Sequence, residues 1–313
     1  MADSAYFCTL THEGVLAVRG PDAGKFLQGQ LTCNIDYLKD GSASLGARCT
    51  PKGRMLSSFR ILPDADGYLL AVAGELVEPQ LTELKKYAAF SKSQLSDESG
   101  NWVRYGLVGG DDVLAGLGLD LPQAAGQVVR NDDRIAIRLE SGRAELWAPH
   151  EQAETLKPHL SAQLTEAPLN NWLLAQIRAG IGQVFGATRD LFIPQMINLQ
   201  AVGGVSFRKG CYSGQEIVAR MQYLGKLKRH LYRLALDGSQ IPQVGTELFS
   251  PVHGTSVGEV VLAAAAEGGI ELLAVLQDDA AQDGRIHLGS ADGPSLSLLD
   301  LPYELNHDLE IQR

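Results

Sequence analysis

The residues most able to do chemistry lie between Phe192 and Arg220, in FIPQMINLQAVGGVSFRKGCYSGQEIVAR. Gly203, Gly204, Gly210 and Gly214 allow this stretch sharp turns that other residues disfavour. Between them stand Asn198, Gln200, Lys209, Cys211, Tyr212, Gln215 and Glu216, polar or reactive side chains that packing alone rarely selects. An ammonium and loop N–H groups beside Cys211 would favour its thiolate, hence nucleophilic or metal chemistry. The alternative is a small, inert, buried cysteine. No histidine occurs in the segment, so a Cys–His pair is not supported. Asn198 and Gln200 are amides able to read a heterocycle edge or to tie down loop backbone. Lys209 and Glu216 would otherwise be a solvated pair. Glu216–Arg220 begins a helix or a strand.

Other candidates lie outside that segment. Trp172 sits on an apolar helical stretch, where it is either core or an aromatic wall for a planar ligand. Lys226 and Lys228, in KLKRH, are either a solvated face or contacts for an anionic tail. Arg48, Lys52 and Arg54 surround a Pro51-Lys52-Gly53 turn and could face a carboxylate. Neither G-x-x-x-x-G-K-[ST] nor G-x-G-x-x-G opening a helix is found, which excludes the common phosphate cradles.

Composition narrows the classes. The chain has 313 residues, enough for two or three packed units, and 45% hydrophobic residues, which fits a soluble globular protein. A net charge of -10 argues against bulk nucleic-acid binding. Cys8, Cys33, Cys49 and Cys211 form no C-x-x-C or zinc spacing, so a reducing cytoplasm is expected. No basic-then-apolar leader and no apolar run of about 20 residues is found, so neither a signal peptide nor a membrane span is expected.

The elements that must position these residues follow from periodicity. Strands are predicted over 14–20, 45–49, 55–62 and 68–72, with a helix opened by Pro21-Asp22 and another from Pro79. Further strands are predicted over 102–108, 128–130, 134–139 and 144–148, with short helices near 113–116 and 152–160. A helix from Asn171, capped by Asn170 or Asn171 and ended by Gly180, carries Trp172. After Arg220, short apolar runs at 232–236, 247–249, 255–263, 270–276 and 296–299 read as a small β barrel or sandwich.

The octapeptide Lys209-Gly210-Cys211-Tyr212-Ser213-Gly214-Gln215-Glu216 resembles the K-G-C-Y-x-G-Q-E signature of the YgfZ family, relatives of the aminomethyltransferase (T-protein) of glycine cleavage. The flanks Phe192–Gln195, Asn198–Ala201 and Val218–Arg220 agree, as do Phe26–Gln30 and the stretch PQLTELKKYAAFSK. The resemblance implies an α+β, T-protein-like multidomain fold around a central channel. Its parts would be an N-terminal α+β domain over 1–105, a middle α+β domain over 106–164, a signature segment over 165–225 that completes the first, and a C-terminal β barrel over 226–313. It further implies a folate-binding accessory protein, with tetrahydrofolate as ligand, that supports maturation or repair of iron–sulfur enzymes. Through them it would serve tRNA methylthiolation, with a link to regulation of replication initiation. The alternatives are a folate-dependent one-carbon transferase and a ligand-free interaction scaffold.

On this reading Trp172 stacks the ligand, Lys226 or Lys228 meets its glutamate tail, and Cys211 supplies thiol or metal chemistry. Asn198, Gln200, Lys209, Tyr212, Gln215 and Glu216 complete the folate site. The chain departs from the family in three places. Gly14 stands where the second folate-associated tryptophan is expected, Arg178 where the T-protein has a pterin-holding glutamate, and Ser57 and Ser58 where it has an acidic pair. Aminomethyl transfer by the T-protein route is therefore not expected.

Overall fold

A computed structural model describes residues 5–38 and 41–305. One antiparallel sheet, one mixed sheet and one closed barrel carry most of the chain. The first sheet orders its strands as Ser44–Cys49, Met55–Asp64, Gly67–Ala73, Glu13–Arg19 and Gln94–Asp97. The second runs Thr165–Glu166, Tyr6–Thr9, Trp102–Val108, Arg143–Pro149, Arg134–Arg138 and Val128–Asn131. Its first two strands pair in parallel and the rest antiparallel.

The inner strands of the first sheet read as nearly unbroken apolar runs because both faces are covered. Leu16, Val18, Leu70 and Val72 face helices Ala23–Gln28 and Val77–Ala88 and the barrel residues Leu231, Val261 and Val275. Their neighbours Val15, Ala17, Leu69 and Ala71 pack against Ile135, Ile137, Trp147 and Trp172 of the second layer. The second sheet divides in the same way. Tyr105, Leu107, Ala144 and Leu146 pack on helices Asp111–Gly116 and Ala153–Ser161. Side chains alternate across a strand, so Arg104, Gly106, Arg143, Glu145 and Trp147 share the face turned towards the first sheet. This alternation sets five non-aliphatic positions against Glu13, Ser58 and Arg60 of the opposing layer.

Helix Leu169–Arg178 crosses between the second sheet and the barrel strand Gly258–Ala266. Pro168, not an asparagine, occupies its N-cap, and no side chain caps it. Asn170 instead bridges to the barrel, its amide exchanging hydrogen bonds of 2.9 and 2.8 Å with Ala265. Gly180 ends the segment in the left-handed region at φ +68, as the sequence predicts. The helix expected from Pro79 begins at Val77, and Pro79 sits in its first turn, where no N–H is missed.

The last part closes as a six-stranded barrel in the order Arg229–Leu236, Gly269–Gln277, Gly258–Ala266, Glu247–Phe249, Ile286–Leu288 and Ser295–Leu299. Closure removes the open edges that a sandwich of such short strands would leave. Leu234, Leu248, Val260, Leu272 and Ile286 fill it.

Candidate functional site

Between the two sheets, beside helix Leu169–Arg178, lies a narrow cavity with an interior of about 40 Å³, or about 500 Å³ when its open mouth is included. Trp172, Gln176, Gln183, Glu13, Ser58, Arg60, Arg143 and Glu145 line it, with Leu45, Phe59, Leu139 and Leu199 supplying apolar wall. Charged side chains buried between sheets survive only when paired, and the pairing is extensive. Arg104 donates to Glu13 at 2.9 Å and to Glu145 at 2.8 Å, while Arg60 reaches the other Glu145 oxygen at 3.1 Å. Trp147 Nε1 also donates to Glu145 at 2.8 Å, and the Arg104 guanidinium stacks 4.3 Å from the Trp147 ring. Gln183 donates to Glu13 at 2.7 Å.

Electrostatics follow from this lattice. Burial alone would raise the carboxyl pKa of Glu145, but Arg104 and Arg60 outweigh it and hold the group at about 2. Glu13 is likewise desolvated and yet held below its ordinary range by Arg104 and His12. Burial lowers the pKa of His12, whose ring nitrogens find no hydrogen-bond partner among the described residues. Arg143 is the group without a close carboxylate: its nearest is Glu140 at 4.0 Å. Burial and the neighbouring Arg60 charge pull it down to about 10, so it stays cationic at neutral pH.

Trp172 is 2% exposed, with one face on the backbone of Gly106 and the Arg143 guanidinium 5.2 Å from its ring centre. It is both packed and part of the cavity wall. The remaining sequence candidates lie elsewhere. Asn198, in the left-handed region at φ 54, exchanges hydrogen bonds of 3.1 and 3.3 Å with the Leu231 backbone and pins its loop to the barrel. Gln200 lines a separate, wider groove with Tyr37, Ser44, Phe207 and Arg208.

The signature loop is stitched to residues 29–33. Lys209 Nζ donates to the carbonyls of Leu31 and Cys33 at 2.6 and 2.8 Å and lies 5.1 Å from the Tyr212 ring. Burial lowers its pKa to about 8. Tyr212 is buried, and its hydroxyl pKa is raised by that burial. Gly214 has φ +86 and lies so close to Thr50 O that a Cβ would sit 2.5 Å away, a position only glycine takes without strain. It starts helix Gln215–Tyr223, where Gln215 reaches back to Lys209 O at 3.5 Å and Glu216 pairs with Arg220 on the surface.

Cys211 is exposed at the loop tip, on an open depression with Lys25, Gln28, Asp36 and Tyr68. Cys8, Cys33 and Cys49 are buried, which raises their thiols to about 12, 11 and 12. Among the described residues no cluster of three or more His, Cys, Asp or Glu is placed to hold a metal ion. Lys226 and Lys228 are exposed on the connection into the barrel and do not line the cavity. Of the sequence candidates, therefore, Trp172 alone lines it.

The three departures are accounted for. A Cβ at Gly14 would meet Ser99 Oγ at 2.4 Å and Val77 at 2.8 Å, on the face opposite Glu13, so this position neither admits a tryptophan nor looks into the cavity. Arg178 is bound to Glu271 on the barrel at 2.8 and 3.1 Å, away from the cavity. Ser58 does line the cavity, its hydroxyl accepting from Val184 N at 2.9 Å. Sequence reading missed Glu13, Arg60, Arg104, Arg143, Glu145 and Gln183. The available signal was charge inside otherwise apolar strands, as in WVRYGLV and RAELWAP.

No helix among the described residues is long and apolar enough to cross a membrane. The fold is similar to that of the glycine cleavage system aminomethyltransferase T from Bartonella henselae, with a TM-score of 0.74 over 96% of this chain and 86% of that one, at 18% identity. No protein-family model matches. Proteins named tRNA-modifying protein YgfZ match nearly end to end. Those of Shigella boydii and Escherichia coli are 34% identical over 312 residues, covering 95% of this chain and 93% of theirs. That of Klebsiella pneumoniae is 36% identical over 304 residues, covering 95% and 92%. Identity at this level along almost the whole length, on the T-protein fold, places the chain in the YgfZ family.

Proposed function

We propose that this chain binds a reduced folate in the cavity between the two sheets and supports tRNA modification. It would do so indirectly, by sustaining iron–sulfur enzymes that modify the tRNA. The observation that carries the reading is the walled cavity at Trp172, in a chain 34–36% identical to proteins named tRNA-modifying protein YgfZ. A flat wall with a few polar groups suits a planar heterocycle. The narrow interior means that a pteridine enters by moving flexible wall side chains such as Gln176. The net charge of -10 fits a protein whose client, rather than itself, grips the tRNA.

The transferase reading is less well supported. Glu13 and Glu145 are held ionised by guanidinium partners, which makes them weak proton acceptors at neutral pH. Cys211, exposed on a loop anchored by Lys209 and Tyr212, is suited to meeting a partner protein rather than to acting on a ligand held in the cavity.

Titrating tetrahydrofolate while following tryptophan fluorescence tests the ligand. Saturable quenching in the wild type, weakened at least about tenfold in Trp172→Phe, is expected. No saturable change in the wild type would remove the folate reading. Scoring tRNA methylthiolation in cells carrying Cys211→Ala tests the thiol, and an unchanged level would remove its role.

A further inference from the structure

We infer that Arg143 and Gln183 together form the subsite that reads the lactam edge of the heterocycle, so that the cavity selects a 4-oxo over a 4-amino pteridine. The inference rests on the folate reading above and adds to it the atoms that recognise the ring. Arg143 is 2% and Gln183 5% exposed, and both line the cavity. Each carries one buried polar atom with no hydrogen-bond partner among the described residues, Arg143 Nη2 and Gln183 Oε1. The Gln183 amide orientation is fixed by chemistry: its nitrogen lies 2.7 Å from a Glu13 carboxylate oxygen, which only accepts, so the amide oxygen is the atom left over.

Arg143 Nη2 has its nearest carboxylate, Glu140, at 4.0 Å, beyond hydrogen-bond reach, and a buried donor or acceptor without a hydrogen bond costs free energy until a ligand answers it. The two residues thus bring one donor and one acceptor to a single cavity. A carboxylate would satisfy Arg143 and leave the Gln183 oxygen facing another acceptor. A lactam satisfies both, its carbonyl accepting from the guanidinium and its ring N–H donating to the amide oxygen. The Arg143 guanidinium stands 5.2 Å from the centre of the Trp172 ring, the surface on which the heterocycle would lie. A glutamate at position 178 is not required for this recognition, since Arg178 is engaged with Glu271 outside the cavity.

The test is calorimetric titration of the full chain with tetrahydrofolate, its 4-amino-4-deoxy counterpart and tail-less tetrahydropterin. Wild type is expected to bind the 4-oxo compound at least about tenfold more tightly than the 4-amino one, because the latter sets donor against donor. Arg143→Met and Gln183→Leu should each weaken tetrahydrofolate and shrink that ratio towards one. The wild-type ratio needs no variant, so a misfolded substitution does not shelter the inference. If tetrahydrofolate binds but the wild type treats both rings alike, the subsite is refuted and the folate reading stands. If Arg143→Met weakens tetrahydrofolate but leaves tail-less tetrahydropterin untouched, Arg143 reads the tail and the inference fails. If no pteridine binds the wild type at all, the folate reading fails and takes the subsite with it.

Discussion

The Trp172 indole lies flat on the backbone of Gly106, so near that a Cβ at residue 106 would be 2.5 Å from Cε3 and 2.7 Å from Cδ2. A strand glycine here is therefore a seat for the ring, and it holds the aromatic wall of the cavity in place. Gly106→Ala should force the indole outwards, lowering stability by about 1–3 kcal/mol as over-packing does. It should also weaken tetrahydrofolate binding and shift the tryptophan emission. Urea melts followed by fluorescence check all three, and an alanine variant with wild-type emission and affinity would show that the seat has slack.

Glu145 is the hub of the buried lattice, held by Arg104, Arg60 and Trp147. Glu145→Gln leaves Arg60 without a carboxylate and Arg104 with Glu13 alone, and should cost about 3–5 kcal/mol at pH 7. The pH dependence has a definite sign. The carboxyl pKa falls from an ordinary 4.5 to about 2 on folding, so its contribution is complete above pH 4.5 and is lost as pH drops towards 2. The stability gap between wild type and Glu145→Gln should narrow across that window, as read from urea midpoints at several pH values. A gap independent of pH would mean that the charge is not what the lattice holds.

Much of the fold is legible in the sequence because burial on both sheet faces leaves continuous apolar runs. Trp102–Val108 and Glu247–Phe249 occur where their patterns place them. Elements with little apolar signal are not legible. Tyr6–Thr9 is four residues long, Gln94–Asp97 is a polar edge strand, and Ile286–Leu288 is three residues of the barrel. Each is defined by the strand beside it rather than by its own composition.

The cavity is less legible in the sequence. Its polar wall is assembled from Glu13, Arg60, Arg143, Glu145 and Gln183, with Arg104 behind it, one or two residues per strand or loop, so no local spacing reports it. The signature loop, by contrast, is conspicuous in sequence because its backbone is demanding: Asn198 and Gly214 both take positive φ, and Lys209 and Tyr212 are interior supports. Motif residues such as Lys209, Tyr212 and Gly214 hold that shape, and the polar groups of the cavity sit on strands that look ordinary.

Lys209 offers a second pH test, on a cation rather than an anion. Burial lowers its pKa from 10.5 to about 8, so between those values the unfolded chain binds more protons than the folded one. Stability due to this group therefore rises with pH over that range. Urea midpoints of wild type and Lys209→Met at pH 7 to 10 should move apart in favour of wild type as pH climbs past 8. Parallel curves would show that the ammonium is not desolvated.

Position 178 decides between two ways of holding a pteridine. On a helix of 3.6 residues per turn, Gln176 lies about 40° from Trp172 and Arg178 about 120° from it. Trp172 and Gln176 accordingly line the cavity, while Arg178 turns to the barrel and Glu271. Arg178→Ala should leave tetrahydrofolate affinity within about twofold and, the pair being partly exposed, change stability by only about 0–1 kcal/mol. Arg178→Glu should not improve binding, because its carboxylate would meet Glu271 and not the ligand. A gain in affinity in Arg178→Glu, measured in the same fluorescence titration, would mean that the pteridine approaches from the barrel side and that the cavity at Trp172 is not its seat.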